Sequence, residues 1–363
     1  MKAIRILFIL GYLFTHTIFA QQKGLELIHA DKTIGKKIGG EKVSEFSGHV
    51  HFQQDTVDMY CDRAVFYEKQ ARLDFVGHVK ISDSLKTIWA NKVEYYPDSR
   101  LAVCLGDVKI KTEDTEVTSR YFSYNFKEKK ARARGDLFID DKPNAVKIWG
   151  EQGLHDALLK YSFVQSQVRL MKIDTSAGDT LTVTGERLEY FGKDTAKAVV
   201  QDSVVLCKGA LKAVCDTLIY LPDEEIAWLN YKPRAWYEQN ELSGERMKVY
   251  FDSLQIRQIH INGQAEALNV QDSLEKKTNV LKGRKIRFEI EGKKPQKVVS
   301  MGNASSVYYL KQEEQAKGRN EATADTISIF FKEGEVDSIR IRGGAQGVYH
   351  PREQIKERKV GTD

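Results

Sequence analysis

Few residues in this chain interrupt regular structure. Its 363 residues include only six prolines and four cysteines. Apart from a stretch at the N-terminus, no segment approaches the eighteen or so apolar residues that a membrane-spanning helix needs. The composition excludes collagen-like and low-complexity proteins. A formal net charge of +5, from 56 basic and 51 acidic side chains, is too small a surplus to indicate a nucleic-acid-binding protein.

The N-terminal stretch has the order of an export signal. Lys2 and Arg5 precede an apolar run from Ile6 to Phe19, and the small residue Ala20 follows it. This order is typical of a secretory signal peptide. The alternative, an uncleaved anchoring helix, is disfavoured because the run is short and interrupted. We predict a signal peptide over residues 1–20. Its removal takes two basic and no acidic side chains, so the mature chain would carry +3.

The cysteines show neither CxxC nor metal-ligand spacing. Cys61 and Cys104 fall at repeated core positions, so we predict that they are small buried strand residues. Cys207 and Cys215 are close enough in sequence to face each other across a hairpin. An exported protein meets an oxidising compartment, so a disulfide between Cys207 and Cys215 is possible, but the sequence does not establish it.

A short motif recurs along the chain, in which a glycine is followed two residues later by an aliphatic residue. Its first four copies begin at a constant spacing of 29 residues, at Gly48, Gly77, Gly106 and Gly135. Looser copies follow at Ser166, Asp202, Pro233, Gly263, Gly302 and Gly343. A constant period of this size is typical of a repeat array in which no unit buries its apolar face alone. We predict about ten units.

Within each unit, apolar and polar residues alternate. Phe46, Gly48, Val50 and Phe52 share one face of a strand, and a second strand of similar pattern lies between successive glycine motifs. A period of two predicts strands with one buried face. Because the glycine lies in mid-strand on the buried side, where it would weaken a flat strand, we predict a sheet creased along a line of glycines. No segment shows a sustained helical period, so the predicted fold class is all-β.

The rhythm of the repeats also suggests how the chain is divided. The 29-residue spacing breaks after residues 140–144. We predict a first β-repeat region over residues 21–143 and a second over residues 144–351. Residues 352–363 are charged, lack the pattern, and are predicted to form a tail.

Motifs for catalysis are absent from the sequence. It has no phosphate loop, GxSxG, HExxH or GxGxxG motif. His49 and His51 could approach one metal ion from the same strand, but no third ligand has suitable spacing. Acidic residues that recur once per unit, such as Asp62 and Asp325, indicate scaffold roles more than a catalytic pair. We therefore predict no enzyme activity, no catalytic residue, no metal and no cofactor.

The buried face of the first repeats is the candidate functional surface. It is either an ordinary core filled by its own side chains or a partly open groove for apolar chains. Burying an acyl chain would contribute about 0.8 kcal/mol per methylene, so even a partly open groove would hold a lipid. The predicted lining residues are Phe46, Val50, Phe52, Phe66, Leu73, Phe75, Val79, Ile81, Tyr95, Val108, Ile110 and Phe122.

The order and number of these motifs resemble the OstA-like family, which includes LptA-like periplasmic lipopolysaccharide-transport proteins. The resemblance runs from about Leu25 to Pro351. Its more specific stretches are Cys61-Asp62-Arg63-Ala64 with Gly77-His78-Val79, and Asn279-Val280-Leu281-Lys282-Gly283-Arg284 with Gly302-Asn303-Ala304 and Tyr308-Tyr309. This chain departs from the family pattern at Pro233, which stands at a glycine position, and in the 39- and 41-residue spacing of its last units.

The resemblance implies an elongated, taco-like antiparallel β-jellyroll that holds lipid A acyl chains in its groove. It also implies a periplasmic location, partners in the inner and outer membranes, and end-to-end stacking through open edge strands. The leading hypothesis is therefore a periplasmic protein that carries or bridges lipopolysaccharide and does not bind nucleic acid. Two alternatives stay open: a structural or adhesive β-repeat protein that binds only proteins, and a glycan-acting periplasmic enzyme.

Overall fold

Every long regular element in the described part of the chain is a β-strand. The computed structural model describes residues 25–174, 178–193, 195–272, 277–312, 315–333 and 335–351. The all-β prediction is confirmed, and within these ranges no helix has the length and apolar character needed to span a bilayer. The predicted signal peptide and the predicted tail lie outside the described residues.

The strands are numbered in chain order. They are β1 Glu26–His29, β2 Lys32–Ile38, β3 Glu41–Gln54, β4 Val57–Tyr67, β5 Arg72–Ser82, β6 Lys86–Tyr96, β7 Leu101–Thr112, β8 Thr115–Asn125, β9 Lys130–Asp141, β10 Val146–Asp156, β11 Tyr161–Asp174, β12 Asp179–Phe191, β13 Lys197–Lys208, β14 Leu211–Leu221, β15 Ile226–Asn230, β16 Arg234–Tyr237, β17 Asn240–Ser243, β18 Arg246–Asp252, β19 Gln255–Asp272, β20 Lys277–Glu291, β21 Lys294–Gln312, β22 Gln315–Lys332, β23 Glu335–Arg342 and β24 Gln346–Pro351.

The chain forms two compact units. The first runs to Leu206 and includes Ile219–Glu224, whereas the second comprises Cys207–Leu218 and continues from Glu225. The boundary predicted at residues 143–144 falls inside the first unit, in the turn between β9 and β10, and stays a prediction.

Each unit is an antiparallel meander. In the first unit, consecutive strands pair from β3 to β12, and β1 and β2 both pair with the free side of β3. In the second unit, consecutive strands pair from β18 to β22, and β23 and β24 both pair with β22. The short strands β15, β16 and β17 add the pairs β14–β16, β16–β17, β15–β18 and β17–β19. Most strand pairs join strands that are consecutive in sequence, as the alternation of two strands in each repeat predicts.

The recurring motif marks a bend in the backbone. At Gly77 and His78 two consecutive residues have positive φ, +79° and +43°. The register of β5 shifts at this point against both β4 and β6. A bulge of this kind bends a strand and increases its local twist. The same left-handed pair recurs at Gly48–His49, Gly106–Asp107, Gly135–Asp136, Ser166–Gln167, Asp202–Ser203, Gly263–Gln264, Gly302–Asn303 and Gly343–Gly344.

One predicted copy of the motif is misplaced. The sequence pattern puts the bend of the seventh unit at Pro233, but the left-handed pair there is Tyr231–Lys232, with φ of +66° and +53°. Proline cannot adopt positive φ because its ring fixes φ near −65°. The bend therefore lies just before the proline.

A polar side chain from an earlier part of the chain covers the first glycine of each glycine-containing bend. A Cβ added to Gly77 would lie 2.3 Å from Asp62 Oδ2, and one added to Gly48 would lie 2.2 Å from Asp31 Oδ2. The same carboxylates contact the residue after the glycine, since His78 Nδ1 lies 2.8 Å from Asp62 Oδ2. Glycine is needed at these bends for φ and for space, which supports the scaffold role predicted for the once-per-unit acids.

The cysteines are free thiols in this structure. Cys61, Cys104 and Cys215 are buried, and Cys207 is half-buried. Burial raises the pKa of the Cys104 and Cys215 thiols to about 12, which keeps them protonated. The prediction of small buried strand residues is confirmed for Cys61 and Cys104.

Candidate functional site

The predicted lining residues occupy the inner face of β3 to β8, divided by the line of bends. We call the two halves wing 1 and wing 2. Wing 1 contains Phe46, Phe66, Leu73, Phe75, Tyr95 and Phe122. Wing 2 contains Val50, Phe52, Val79, Ile81, Val108 and Ile110. On β3, β5 and β7 the apolar alternation runs through the bend unchanged, whereas on β4 and β6 it shifts by one residue, because two residues of the bulged strand lie opposite one residue of its neighbour.

Cross-strand pairs align these residues in rows on the inner face. In wing 1 one row runs from Phe46 through Ala64, Phe75, Val93 and Cys104 to Phe122. A second row in wing 1 joins Phe66, Leu73 and Tyr95. In wing 2 a row runs from Phe52 through Met59, Ile81 and Ile88 to Ile110. These rows contain nine of the twelve residues. The other three, Val50, Val79 and Val108, are buried on wing 2 beside the bends, so the twelve residues share one apolar face.

Aromatic side chains from the two wings meet at the N-terminal part of this face. The rings of Phe46 and Phe52 lie 5.3 Å apart between centroids, edge to face, and those of Phe52 and Phe75 lie 5.7 Å apart. These pairs join wing 1 to wing 2, because Phe52 lies beyond the bend from both partners. Such edge-to-face contacts stabilise a pair by about 0.5–1.5 kcal/mol beyond area burial. The two halves of the sheet therefore fold towards each other.

Burial separates a closed interior from an accessible rim. Phe75 and Ile110 have no exposed surface, and six more of the twelve residues are also buried. The half-buried members are Phe46, Phe66, Ile81 and Tyr95. Phe66, Ile81 and Tyr95 each lie one residue from a strand end, so the partly exposed positions of the face lie beside the turns. We call these three residues the rim.

The chemistry of the face is almost entirely apolar. Burial raises the pKa of the Tyr124 hydroxyl to about 12 and also raises the pKa of Tyr95. Both groups are therefore neutral at physiological pH. No charged side chain is among the twelve lining residues, so the face can accept hydrocarbon without burying an uncompensated charge.

The inner face contains a buried polar pair in β10 and β11, His155 and Ser162, which the sequence did not predict. The row that contains Tyr124 continues through Ala131, His155 and Ser162 to Tyr190. His155 is 2% exposed, its Nδ1 lies 2.8 Å from Ser162 Oγ, and its Nε2 is buried without a hydrogen-bond partner among the described residues. Burial lowers the pKa of His155 to about 4. In this row His155 takes the position that Tyr95 and Tyr124 occupy in earlier units. A histidine in place of an inward-facing tyrosine is therefore the feature of the sequence that could have indicated the site.

The other histidines of the first repeats lie away from this face. His49 and His78 are exposed on the bends, where they contact Asp31 and Asp62. His51 stacks on Tyr60 on the outer side, 4.4 Å between centroids. Among the described residues there is no group of three or more histidine, cysteine or acidic side chains that could hold a metal ion.

Comparison with known proteins connects the first unit to one family. Residues 22–172 match the family model described as OstA-like protein. The resemblance to the OstA-like family is confirmed over these residues, which include β1 to β10 and most of β11. No curated protein matches the chain.

Several solved chains match this protein, and one of them is similar over a shorter stretch than the family model. It is described as LptH, the LptA-homologous periplasmic component of the conserved lipopolysaccharide transport device from Pseudomonas aeruginosa. The two chains are 15% identical with a TM-score of 0.30, and the similarity covers 39% of this chain and 95% of that one.

Proposed function

We propose that this protein is a non-enzymatic periplasmic carrier that shields the acyl chains of lipopolysaccharide during export to the outer membrane. The observation that carries the proposal is the continuous apolar face of β3 to β8, folded between two wings in the stretch that matches the OstA-like family. Its ligand is lipid A, and it works with lipopolysaccharide-transport proteins of both membranes.

The rim is the proposed entry to the groove. Phe75 and Ile110 are fully enclosed, so an acyl chain reaches them only if the wings separate. Phe66, Ile81 and Tyr95 are accessible without that movement. Each methylene transferred from water to this face contributes about 0.8 kcal/mol, so several methylenes offset the loss of contacts between the wings.

Photo-crosslinking from one strand tests the groove. Tyr95 and Trp89 are both half-buried aromatic residues of β6, but Tyr95 points inward and Trp89 pairs with outward-facing Lys80. A benzophenone amino acid at position 95 should capture lipopolysaccharide in cells, and one at position 89 should not. Deeper probes at Phe75 and Val108 should also capture lipid, whereas one at Lys80 should not. Capture from positions 89 and 80 alone would reject the groove.

Depletion of the protein tests the export role. Surface lipopolysaccharide should fall when the protein is depleted, and the precursor should accumulate before the outer membrane. Unchanged surface levels would reject the transport function and leave the structural or adhesive alternative. Turnover of a polysaccharide by the purified protein would instead favour the glycan-acting alternative.

We also propose that the protein stacks end to end through its terminal strands. β1, β2 and β24 are exposed throughout, and β23 is exposed except at half-buried Val336 and Ile341. Strands β1 and β2 pair with β3, and strands β23 and β24 pair with β22. Apolar residues such as Ile34 and Ile38 on β2, and Val348 and Tyr349 on β24, face solvent. Open strand edges pair readily with another chain.

Edge substitutions test this stacking. Ile34→Lys should lower the mass of any assembly measured by light scattering, because it places charge on an open apolar edge. Leu85→Lys is a matched control, since Leu85 is equally apolar and 59% exposed but lies in a turn. An assembly that loses mass equally with both variants would contradict stacking through β2.

A further inference from the structure

His155 and Ser162 form a polar spot inside an otherwise apolar face. They pair directly across β10 and β11, and both are buried, at 2% and 1% exposure. Their row neighbours Ala131 and Tyr190 are also buried. A buried polar atom without a partner costs free energy, so native structures keep few of them without a reason. His155 Nε2 is such an atom.

The charge state of His155 limits what this atom can bind. Burial favours the neutral ring, and the adjacent Asp156 opposes this effect only in part. Asp156 is committed elsewhere, because its Oδ1 accepts hydrogen bonds from the backbone N–H groups of Leu158 and Leu159, and Lys130 lies 3.4 Å from its Oδ2. A neutral imidazole is a poor partner for a phosphate or a carboxylate. The spot is therefore suited to a neutral polar group.

The two neutral tautomers of His155 further restrict the kind of polar group that Nε2 can bind. If Nδ1–H donates to Ser162, Nε2 is an acceptor; if the Ser162 hydroxyl donates to Nδ1, Nε2–H is a donor. A carbonyl oxygen satisfies only the second state, and an amine N–H satisfies only the first. A hydroxyl group satisfies either, because it both donates and accepts.

We propose that His155 Nε2 binds a hydroxyl group on an acyl chain held in the groove. His155 is thus a specificity-determining residue that selects hydroxylated over plain chains. This inference rests on the proposed function, since it needs an acyl chain on the inner face. His155 is the penultimate residue of β10 and lies near the turn side, so a chain that enters from the rim presents its head-proximal carbons there.

Calorimetric titration of the mature chain with three fatty acids tests the proposal. The probes are tetradecanoic acid, its 3-hydroxy derivative and its 12-hydroxy derivative. We expect the 3-hydroxy acid to bind about fivefold to tenfold more tightly than the plain acid, the range of one net hydrogen bond. The 12-hydroxy acid should bind no better than the plain acid, because its hydroxyl lies far from the head.

Two variants assign the preference to the residue. His155→Phe should abolish the preference for the 3-hydroxy acid while leaving the plain acid bound. His51→Phe, which alters a half-buried histidine on the outer side, should keep the preference. Equal affinity of the wild-type protein for the plain and 3-hydroxy acids would overturn the inference alone. A preference that survives in His155→Phe would also overturn it. Failure to bind any of the three acids would overturn both this inference and the proposed groove.

Discussion

Two stretches of the first unit solve the same bend with different residues. In β3 to β9 each left-handed pair begins with glycine, whereas in β11 it is Ser166–Gln167, with φ of +67° and +55°. Left-handed backbone costs an L-residue roughly 1–2 kcal/mol. The second residue of the pair bears this strain in both stretches, so β11 accepts it at one position more than β3 to β9 do. The bend is therefore a property of the array, and glycine is one way to achieve it.

In the second stretch a glycine lies on the strand next to the bend instead of at the bend. A Cβ on Gly150 of β10 would lie 2.4 Å from Val164 Cγ1 and 3.6 Å from Ser166 O. In β12, a Cβ on Gly185 would lie 2.7 Å from Val200 Cγ1 and 3.4 Å from Asp202 O. At each bend, then, close packing requires a missing side chain on one of two adjacent strands. The first stretch omits it on the bend and fills the space with a polar residue such as Asp62.

Exchanging glycine and serine at the first position of the bend should show the largest difference in stability between the two stretches. Gly77→Ser should destabilise the protein by about 2–4 kcal/mol, because it adds left-handed strain and overlaps with Asp62. Ser166→Gly should be neutral or stabilise by about 1 kcal/mol, because it relieves strain that is already present. Urea unfolding of both variants, followed by circular dichroism, measures the difference.

A control isolates the overlap from the strain. Gly40 has φ of +84° and nothing within 4 Å of an added Cβ. Gly40→Ser should therefore cost only the strain, about 1 kcal/mol. If Gly40→Ser destabilises the protein as much as Gly77→Ser, the overlap with Asp62 contributes nothing. The two stretches would then differ only in the backbone strain at positive φ.

The second-largest expected difference between the two stretches is a loss of stability at acid pH, caused by buried His155. The folded protein holds the pKa of His155 near 4 against an ordinary value of 6.5, so the unfolded chain binds the proton more readily. Stability is complete above pH 6.5 and declines as the pH falls towards 4, by up to about 3 kcal/mol at 1.36 kcal/mol per pKa unit. The first stretch buries no histidine within its described residues β3 to β9.

The pH effect is measured as a difference between variants. Urea midpoints of the wild-type protein and of His155→Phe should diverge between pH 7.5 and pH 4.5, with the wild type losing more stability. Carboxylates titrate in both proteins, so their contribution cancels in the difference. Parallel loss in the two proteins would mean that His155 protonates in the folded state without cost.

The sequence was most informative where one residue type has one physical role. Gly48 to Gly135 recur at a fixed spacing because both φ and space demand glycine, so the bend line could be predicted from them. Ser166 entered the pattern only as a looser copy of the motif, because serine has no special tolerance of positive φ. The pattern placed the seventh bend at Pro233, whereas the left-handed pair begins at Tyr231. Alternation placed Phe75 and Ile110 on the inner face. It could not show that Phe46 and Phe52 meet across the bend, since that contact depends on how far the wings close.

The smallest expected effect concerns the polar contacts that follow the bends. Arg120 Nε donates to Asp136 Oδ2 at 2.7 Å in the first stretch, and both side chains are mostly exposed. The strand register gives the equivalent positions in the second stretch to Glu151 and Gln167, which cannot form a pair of opposite charges. Exposed ion pairs are screened by water and salt, so replacing Arg120 and Asp136 together by glutamine should leave the urea midpoint unchanged within error. If the double variant is clearly less stable, the ion pair stabilises the glycine-containing bend, and the bend of β11 lacks that contribution because Glu151 and Gln167 cannot form such a pair.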